Sequence, residues 1–219
     1  MNNALDFVLV PRNIVISFDE KLTSQLIKYS QEINKLIPSK VVLNKTDQLP
    51  HMSIYSTNFP EYNLREVNKR LTDFVKSQKP FKVTFSSKVV DMKTIFINAD
   101  PNKKLQNLHN ILVDQLNDLR EGLYDEKELG FIGDHKERRI SLVKYGMWAA
   151  KELYVPHISI SRPKDSTQCK RALDLLPNNI LFRSEVKRVS LVERGHDGTC
   201  KRVIQTYLFN KGVKRSKNH

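Results

Sequence analysis

Two short segments of the chain repeat one pattern: an apolar residue, proline, histidine, an apolar residue, serine and isoleucine. The copies read LPHMSI, with its histidine at position 51, and VPHISI, with its histidine at position 157. Because side chains alternate across a β-strand, His51 shares one face of the first copy with Ser53. In the same way, His157 shares one face of the second copy with Ser159. Each copy therefore presents an imidazole beside a hydroxyl, with its apolar residues on the opposite face.

Two imidazoles and two hydroxyls around one cleft suit phosphoryl transfer. Histidine titrates near pH 6.5, so a neutral imidazole can take a proton from the attacking oxygen while an imidazolium protonates the leaving oxygen. Serine hydroxyls can hold the non-bridging oxygens and keep the phosphorus in line. We predict that His51 and His157 are catalytic, either one being able to serve as the acid. Ser53 and Ser159 are predicted to bind the phosphate, and no metal site is predicted.

Further candidates for substrate binding follow the two motifs. Tyr55 lies on the predicted face of the first histidine and can stack on a nucleobase. Arg162, just past the second motif, is predicted to bind phosphate. The other aromatic residues that can stack are Phe131, Tyr145 and Trp148, although Trp148 is interpreted as a core residue. The alternative for all of these, and for both histidines, is that they pack or are solvated and take no part in chemistry.

The elements that must position these side chains can be predicted from periodicity. Strands are predicted over residues 13–18, 51–59, 81–90, 94–99, 153–161, 185–193 and 201–209, and helices over 19–37, 61–77, 101–119 and 165–176. A GHDG turn joins the last two strands into a hairpin. Residues 120–145 have no sustained period and are interpreted as an inserted loop. His109 lies on the apolar stripe of its helix and is interpreted as a half-buried packing residue. This order predicts the α+β class with a mainly antiparallel sheet.

Composition limits the classes of function. The 219 residues include 37 Lys+Arg and 24 Asp+Glu, which gives a net charge of +13. This excess indicates a polyanionic partner such as RNA or nucleotides, and we expect the positive charge to draw the phosphates of that partner into the cleft between the two histidines. With 39% hydrophobic residues the chain can form a core. It has no apolar run of the roughly 18 residues that span a membrane and no signal-peptide pattern, so we expect a cytoplasmic protein without membrane contact. Two cysteines are too few for a disulfide framework or a structural zinc site.

The paired motifs resemble those of the 2H phosphoesterase superfamily, which carries H-x-T/S in each half of one chain. Here they are His51-Met52-Ser53 and His157-Ile158-Ser159, and the matching order of elements extends the resemblance over most of residues 13–209. This superfamily includes 2′-5′ RNA ligase-like proteins. The resemblance implies a bilobal α+β fold, in which two mainly antiparallel sheets, flanked by helices, surround a central cleft. It also implies a metal-independent reaction with the histidines as acid and base. Serine replaces the common threonine in both motifs, and the region before the second motif is long, so the substrate class is not transferred.

These observations predict a phosphodiesterase of the 2H type that acts on RNA ends or oligonucleotides, at a 2′,3′-cyclic phosphate or a related linkage. The alternatives are an enzyme that degrades 2′-5′ oligoadenylate or cyclic oligonucleotide signals, and a non-catalytic RNA-binding module. We expect a monomer with one bilobal domain over residues 1–210, an insertion at about 120–150, and a basic flexible tail over 211–219. No cofactor is expected.

Overall fold

The computed structural model of the protein describes residues 8–210, and in this part of the chain nine strands and six α-helices follow one another. The strands are β1 (Leu9–Ile16), β2 (Ser39–Val42), β3 (Met52–Pro60), β4 (Phe81–Asp91), β5 (Thr94–Ala99), β6 (His157–Pro163), β7 (Phe182–Val186), β8 (Arg188–Arg194) and β9 (Cys200–Leu208). The helices are α1 (Glu20–Leu36), α2 (Leu64–Ser77), α3 (Lys103–Leu116), α4 (Lys127–Ile132), α5 (Lys136–Tyr145) and α6 (Cys169–Asp174).

The strands form an antiparallel sheet in the order β7-β4-β5-β6-β3-β1-β8-β9, with β2 paired to β6. Its two halves meet where β3 and β6 pair through one residue pair, Met52 with Ile158. The half formed by β7, β4, β5, β6 and β2 carries the second motif, and the half formed by β3, β1, β8 and β9 carries the first. The predicted α+β class with two antiparallel, helix-flanked sheets is confirmed, and the structure adds that the two sheets are joined at their centre.

The helices cover the two halves separately. Helices α1 and α6 contact the half that contains β6, whereas α2 and α3 contact each other and the half that contains β3. Helix α1 begins after Asp19, whose side chain accepts a hydrogen bond from the backbone N–H of Leu22 (2.8 Å), a cap that contributes about 1 kcal/mol. Its apolar stripe buries Leu26 and Ile33, and Pro38 prevents a further turn. The predicted helix over 19–37 is thus observed.

A β-bulge interrupts β3 soon after the first motif. Val15 of β1 pairs with Ser53 and Ile14 pairs with Tyr55, so Ile54 is an extra residue of β3. The extra residue reverses the alternation of side chains beyond it. Ser53 therefore faces the cleft as predicted, but Tyr55 turns into the core, where it is fully buried. The prediction that Tyr55 shares the face of the histidine is wrong for this reason.

An equivalent bulge interrupts β6. Phe96 of β5 pairs with Ser159 and Ile95 pairs with Ser161, which leaves Ile160 as the extra residue. Ser161 is consequently buried and does not face the cleft, although strict alternation from the second motif places it there. The two motifs therefore share their local geometry as well as their sequence, because each strand changes phase three residues after its histidine.

Several predicted boundaries differ from the observed ones. The first strand begins four residues earlier, and the helix over 61–77 opens with a 3-10 turn, Glu61–Asn63. The strand over 153–161 begins only at the histidine, and the helix over 165–176 is reduced to a 3-10 turn and α6. The strand over 185–193 is two strands, β7 and β8, since the chain passes at Lys187 from pairing with β4 to pairing with β1.

The segment over 120–145 is not a loop, because it contains α4 and α5. Helix α4 has only six residues, too few to show a period. In α5, Leu142 is buried whereas Ile140 and Val143 are exposed, so no single apolar stripe marks it in the sequence. Gly146 ends α5 with φ +67°, the left-handed conformation that favours glycine.

No helix within residues 8–210 is long and apolar enough to cross a lipid bilayer. The predicted basic tail, 211–219, lies outside the described residues. The extent of the domain, 1–210, stays a prediction.

Candidate active site

A central cleft of about 860 Å³ lies where the two halves of the sheet meet. Its lining includes His51 and Ser53 from the first motif and His157 and Ser159 from the second. Arg162, at the end of β6, also lines it. The structure thus brings five of the six sequence-predicted site residues into one cleft.

Each imidazole is held by the same kind of hydrogen bond, from Nδ1 to the backbone carbonyl oxygen two residues earlier. The Nδ1 atom of His51 lies 2.8 Å from the carbonyl oxygen of Leu49, and the Nδ1 atom of His157 lies 2.7 Å from that of Val155. Because a carbonyl oxygen only accepts hydrogen bonds, we assign the proton of each neutral ring to Nδ1. Each Nε2 atom then remains available to accept or return a proton in the cleft.

The environment of the two rings favours the neutral form. The pKa of His51 is lowered to about 4: burial lowers it most, the hydrogen bond to Leu49 opposes this in part, and a positive charge on His157 lowers it further. Burial also lowers the pKa of His157, whereas its backbone hydrogen bond and the negative charge of Asp91 raise it. The ring of Phe96 packs on His157 with centroids 4.1 Å apart. Of the two imidazoles, His157 is the one with a carboxylate in its field.

The two serines are placed to donate hydrogen bonds. Ser53 Oγ accepts a hydrogen bond from the side-chain amide of Asn13 (2.7 Å), so its own hydroxyl proton is free for a ligand. Asn13 is a buried residue of β1 and is therefore a fixed support. Ser159 is partly exposed in the cleft, and its hydroxyl has no hydrogen-bond partner among residues 8–210.

The comparisons with known proteins agree with this geometry. The family model described as the 2'-5' RNA ligase superfamily matches residues 30–198, which is more than half of the chain. The chain belongs to the 2′-5′ RNA ligase superfamily. The predicted resemblance to 2H phosphoesterases is thereby confirmed, and phosphoesterase chemistry is the activity of the superfamily to which it belongs. No curated protein matches the chain significantly.

Solved structures of the superfamily fold resemble the protein over nearly its whole length. The protein TT0787 of Thermus thermophilus is 14% identical, with a TM-score of 0.57, and the match covers 92% of this chain and 98% of that one. LigT of E. coli complexed with ATP is 11% identical, with a TM-score of 0.58, covering 93% and 100% of the two chains. LigT complexed with 3'-AMP is 10% identical, with the same TM-score and coverage. At these identities the likeness establishes the fold alone.

Within this superfamily fold, a buried layer supports the first motif. The hydroxyl of Tyr154 donates to the carbonyl oxygen of Ser53 (2.8 Å), and Nδ1 of His109 donates to that of Ile54, the bulged residue (2.5 Å). The rings of Tyr154 and His109 stack with centroids 3.9 Å apart, and the N–H of Lys151 donates to His109 Nε2 (2.8 Å). His109 is therefore fully buried and bonded through both nitrogens, which corrects the interpretation as a half-buried packing residue.

Tyr55 is part of the hydrophobic core rather than a platform for a base. Its hydroxyl donates to the carbonyl oxygen of Tyr145 (2.7 Å), and burial raises its pKa above the usual value. The residue that the bulge turns toward the cleft is Ser56, five positions after the first histidine, just as Arg162 is five positions after the second. Sequence reasoning missed Ser56, because neither motif contains a glycine or other residue that marks a bulge.

Arg162 lies in the cleft as predicted, but it is already paired. Its Nε donates to Thr94 Oγ1 (2.8 Å), and its Nη1 donates to Asp197 Oδ1 (2.7 Å) in the β8–β9 hairpin. Only 15% of its side chain is exposed. A phosphate that binds Arg162 must therefore share it with the Asp197 carboxylate.

The lining of the cleft is electrostatically balanced, unlike the chain as a whole. It contains five basic and five acidic side chains, Lys40, Lys127, Arg162, Arg194 and Lys201 against Asp47, Asp125, Glu128, Glu193 and Asp197. In the described part of the chain, Lys40 and Lys127 are the basic members without an ion pair. The excess of +13 therefore lies outside the cleft lining, and the prediction that this charge draws phosphate toward the cleft stays a prediction.

Among residues 8–210, no group of three or more His, Cys, Asp or Glu side chains is arranged to hold a metal ion. Metal independence of the reaction stays a prediction.

Proposed function

We propose that the protein is a metal-independent phosphodiesterase that acts on RNA ends or oligonucleotides carrying a 2′,3′-cyclic phosphate or a related linkage. The observation that carries the proposal is the matched pair of imidazoles, each with Nδ1 on a backbone carbonyl and Nε2 left for the same cleft. Two such groups supply a base and an acid on opposite sides of a phosphorus atom. The site residues proposed are His51 and His157 for catalysis, with Ser53, Ser159 and Arg162 for the phosphate.

The surroundings of the two rings favour one assignment of roles. His51, with a pKa of about 4, is neutral at pH 7 and takes the proton of the attacking water. The water oxygen bonds to phosphorus as the bond from phosphorus to the ribose oxygen breaks. That leaving oxygen takes its proton from His157. Burial lowers the pKa of this ring as well, but the negative charge of Asp91 opposes that effect, and no carboxylate among residues 8–210 does so for His51. After the reaction His51 carries an extra proton and His157 lacks one. Proton exchange with solvent returns both rings to their starting states.

The serines hold the non-bridging oxygens in this proposal. Ser53 is fixed by Asn13 so that its hydroxyl proton can be donated, and Ser159 has its hydroxyl free. Hydrogen bonds that strengthen as charge develops on these oxygens lower the barrier more than they stabilise the bound substrate. The E. coli LigT structures with ATP and 3'-AMP support a nucleotide ligand for this fold.

A substrate panel tests the proposal. The protein is incubated, with and without EDTA, with 2′,3′-cyclic-ended RNA, 2′-5′ and 3′-5′ oligonucleotides and cyclic dinucleotides, and the products are identified by mass spectrometry. We expect ring opening of the cyclic ends to a phosphomonoester at an unchanged rate in EDTA. Turnover of the 2′-5′ or cyclic oligonucleotides instead supports the alternative of signal degradation. RNA binding without any product would mean a non-catalytic binding module and would sink the proposal.

A further inference from the structure

Asp91, the carboxylate whose charge acts on His157, lies on the cleft side of the sheet. It ends β4 opposite Thr94 of β5. Because alternate residues of a strand share a face, Asp91 and Thr94 are on the same face as Phe96, whose ring packs on His157 and lines the cleft. A two-residue turn at 92–93, with φ values of 47° and 59°, joins the two strands and holds the backbone beside Asp91. The direction of the carboxylate is therefore set by its side-chain partner.

That partner is Arg138, in the first turn of α5. Its Nη2 donates to Asp91 Oδ2 (3.2 Å), and its guanidinium lies over the ring of Trp148, 4.8 Å from the centroid. Its Nη1 is buried and has no hydrogen-bond partner within residues 8–210. Trp148 itself lines the cleft and is partly exposed, so its interpretation as a core residue does not hold. The guanidinium is thus enclosed between a carboxylate and a ring instead of extending into solvent.

The helix and the ring that hold this guanidinium are themselves fixed. The hydroxyl of Ser141 in α5 donates to the carbonyl oxygen of Met147 (2.8 Å) and accepts from the N–H of Ala150 (3.1 Å), so the chain on both sides of Trp148 is tied to α5. The buried guanidinium of Arg120 donates to two carbonyl oxygens in the last turn of α5 (2.8 and 2.6 Å). A tyrosine hydroxyl of β3 donates to the carbonyl oxygen of the last residue of the helix. The ion pair therefore joins a helix fixed to the half that carries the first motif to a strand of the other half.

Asp91 is distinctive among the charged and titratable groups around His157. Strand β5 places Asn98, an uncharged residue, directly opposite His157. His51 faces it from the first motif and lowers the pKa of neither ring while it is neutral. Arg162 follows on the same strand, but its charge is paired in the β8–β9 hairpin. The carboxylate of Asp91 is thus the group whose position most directly affects the protonated form of His157.

We propose that Arg138 is a positioning residue of the active site, which holds the Asp91 carboxylate on the cleft side of the sheet beside His157. The role rests on the proposed function, in which His157 is the acid. An ion pair between exposed side chains usually contributes little, because both side chains must be ordered to form it. Here the ring of Trp148 orders Arg138 beforehand, so the guanidinium can fix the carboxylate at a lower entropy cost. The other explanation is that the ion pair only packs α5 against the β4–β5 hairpin.

The test measures the pKa of His157 by NMR titration of its ring in the full-length protein, with the signal assigned by its loss in His157→Ala. Arg138→Met keeps an apolar stem against Trp148 but cannot donate to Asp91. We expect the freed carboxylate, already 47% exposed, to turn toward solvent and the pKa of His157 to fall by about 0.5, less than the effect of a fully buried charge. Loss of the positive charge of Arg138 acts in the opposite direction. A raised or unchanged pKa would therefore overturn the inference.

Further variants separate positioning from packing. Arg138→Lys, which can still donate to Asp91, should recover most of the pKa of His157. Arg139→Met is the matched control, because Arg139 is the next residue of α5, is exposed and donates to a backbone carbonyl oxygen (3.0 Å) instead of Asp91. In an Asp91→Asn background, Arg138→Met should no longer lower the pKa. A fall of equal size in that background, or in Arg139→Met, would mean that Arg138 does not act through Asp91.

The NMR titration needs no turnover, so it is independent of the reaction. In the active enzyme the alkaline limb of the kcat/KM profile should move to lower pH in Arg138→Met by the same amount as the pKa of His157. If the wild-type protein hydrolyses no member of the substrate panel, the proposed function fails while the titration still decides whether Arg138 positions Asp91. If hydrolysis occurs but Arg138→Met leaves the pKa of His157 unchanged, the proposed function stands and the positioning role fails.

Discussion

At the scale of single residues, the two histidines share one hydrogen-bond pattern but differ in their surroundings. If both are required, His51→Ala and His157→Ala each lower kcat by about 10²–10⁴-fold, the range of general acid–base catalysis. Turnover of a 2′,3′-cyclic-ended oligonucleotide measures the loss, and circular dichroism checks the fold. His135→Ala is the matched control, since His135 is exposed at the start of α5 and outside the cleft lining. Wild-type turnover in either motif variant contradicts the proposed pair.

The assignment of acid and base can be tested through Asp91. Its negative charge raises the pKa of His157, so Asp91→Asn should lower that pKa. If His157 is the acid, activity is lost as the pH rises through its pKa, and the variant moves the alkaline limb of the kcat/KM profile to lower pH. If His157 is instead the base, the acid limb moves to lower pH. A profile that does not move in either limb would show that Asp91 has no influence on the ring.

At the scale of elements, the two bulges explain both the success and the failure of strand alternation. His51, Ser53, His157 and Ser159 precede the bulges, so period-two alternation places them together in the cleft. Tyr55 lies beyond a bulge and takes the opposite face. The sequence predicts α1 and α3 because their apolar stripes are long, but not α4 and α5, which are too short or lack a stripe. Ion-pair partners such as Asp197 come from distant elements, and no local pattern predicts them.

His109 contacts the bulge in β3. Its Nδ1–H donates to the bulged carbonyl of Ile54, and its ring stacks on Tyr154, whose hydroxyl donates to the carbonyl of Ser53, so we expect His109 to act as a positioning residue for Ser53. We expect His109→Ala to lower kcat about tenfold, and to cost about 2–3 kcal/mol of stability from the cavity and the unpaired groups. His109→Gln should recover part of kcat by donating to the same carbonyl. Loss of stability with unchanged kcat would reduce His109 to a structural role.

In the proposed reaction, Asp197 of the β8–β9 hairpin competes with the substrate phosphate for Arg162. Asp197→Asn removes the charge of the carboxylate that now pairs with Arg162, and asparagine tolerates the positive φ of 57° at this position. We therefore expect KM to fall about three- to tenfold with kcat within twofold. The control is Glu193→Gln, since Glu193 is another cleft carboxylate but pairs with Lys201 and Arg202. A rise of KM in Asp197→Asn would mean that Asp197 positions Arg162 instead of competing for it.

At the scale of the whole molecule, the buried histidines that shape the site also set the response of stability to pH. Burial lowers the pKa of both His51 and His109 to about 4, against 6.5 in the unfolded chain. Between these values the unfolded chain binds more protons than the folded one, so the free energy of unfolding decreases as the pH falls from 6.5 to 4. The linkage relation gives a loss of about 2 kcal/mol per histidine between pH 7 and pH 5.

Urea unfolding at pH 7 and pH 5 measures this decrease in the free energy of unfolding. For His51 and His109 together, the expected decrease is about 4 kcal/mol. The lowered pKa of His157 acts in the same direction. His109→Gln, whose side chain does not titrate, should reduce the loss by about 2 kcal/mol. His135→Gln is the control, because His135 is exposed and lies outside the cleft lining. Equal stability at the two pH values would mean that these imidazoles become protonated without unfolding, and that burial does not keep them neutral for catalysis.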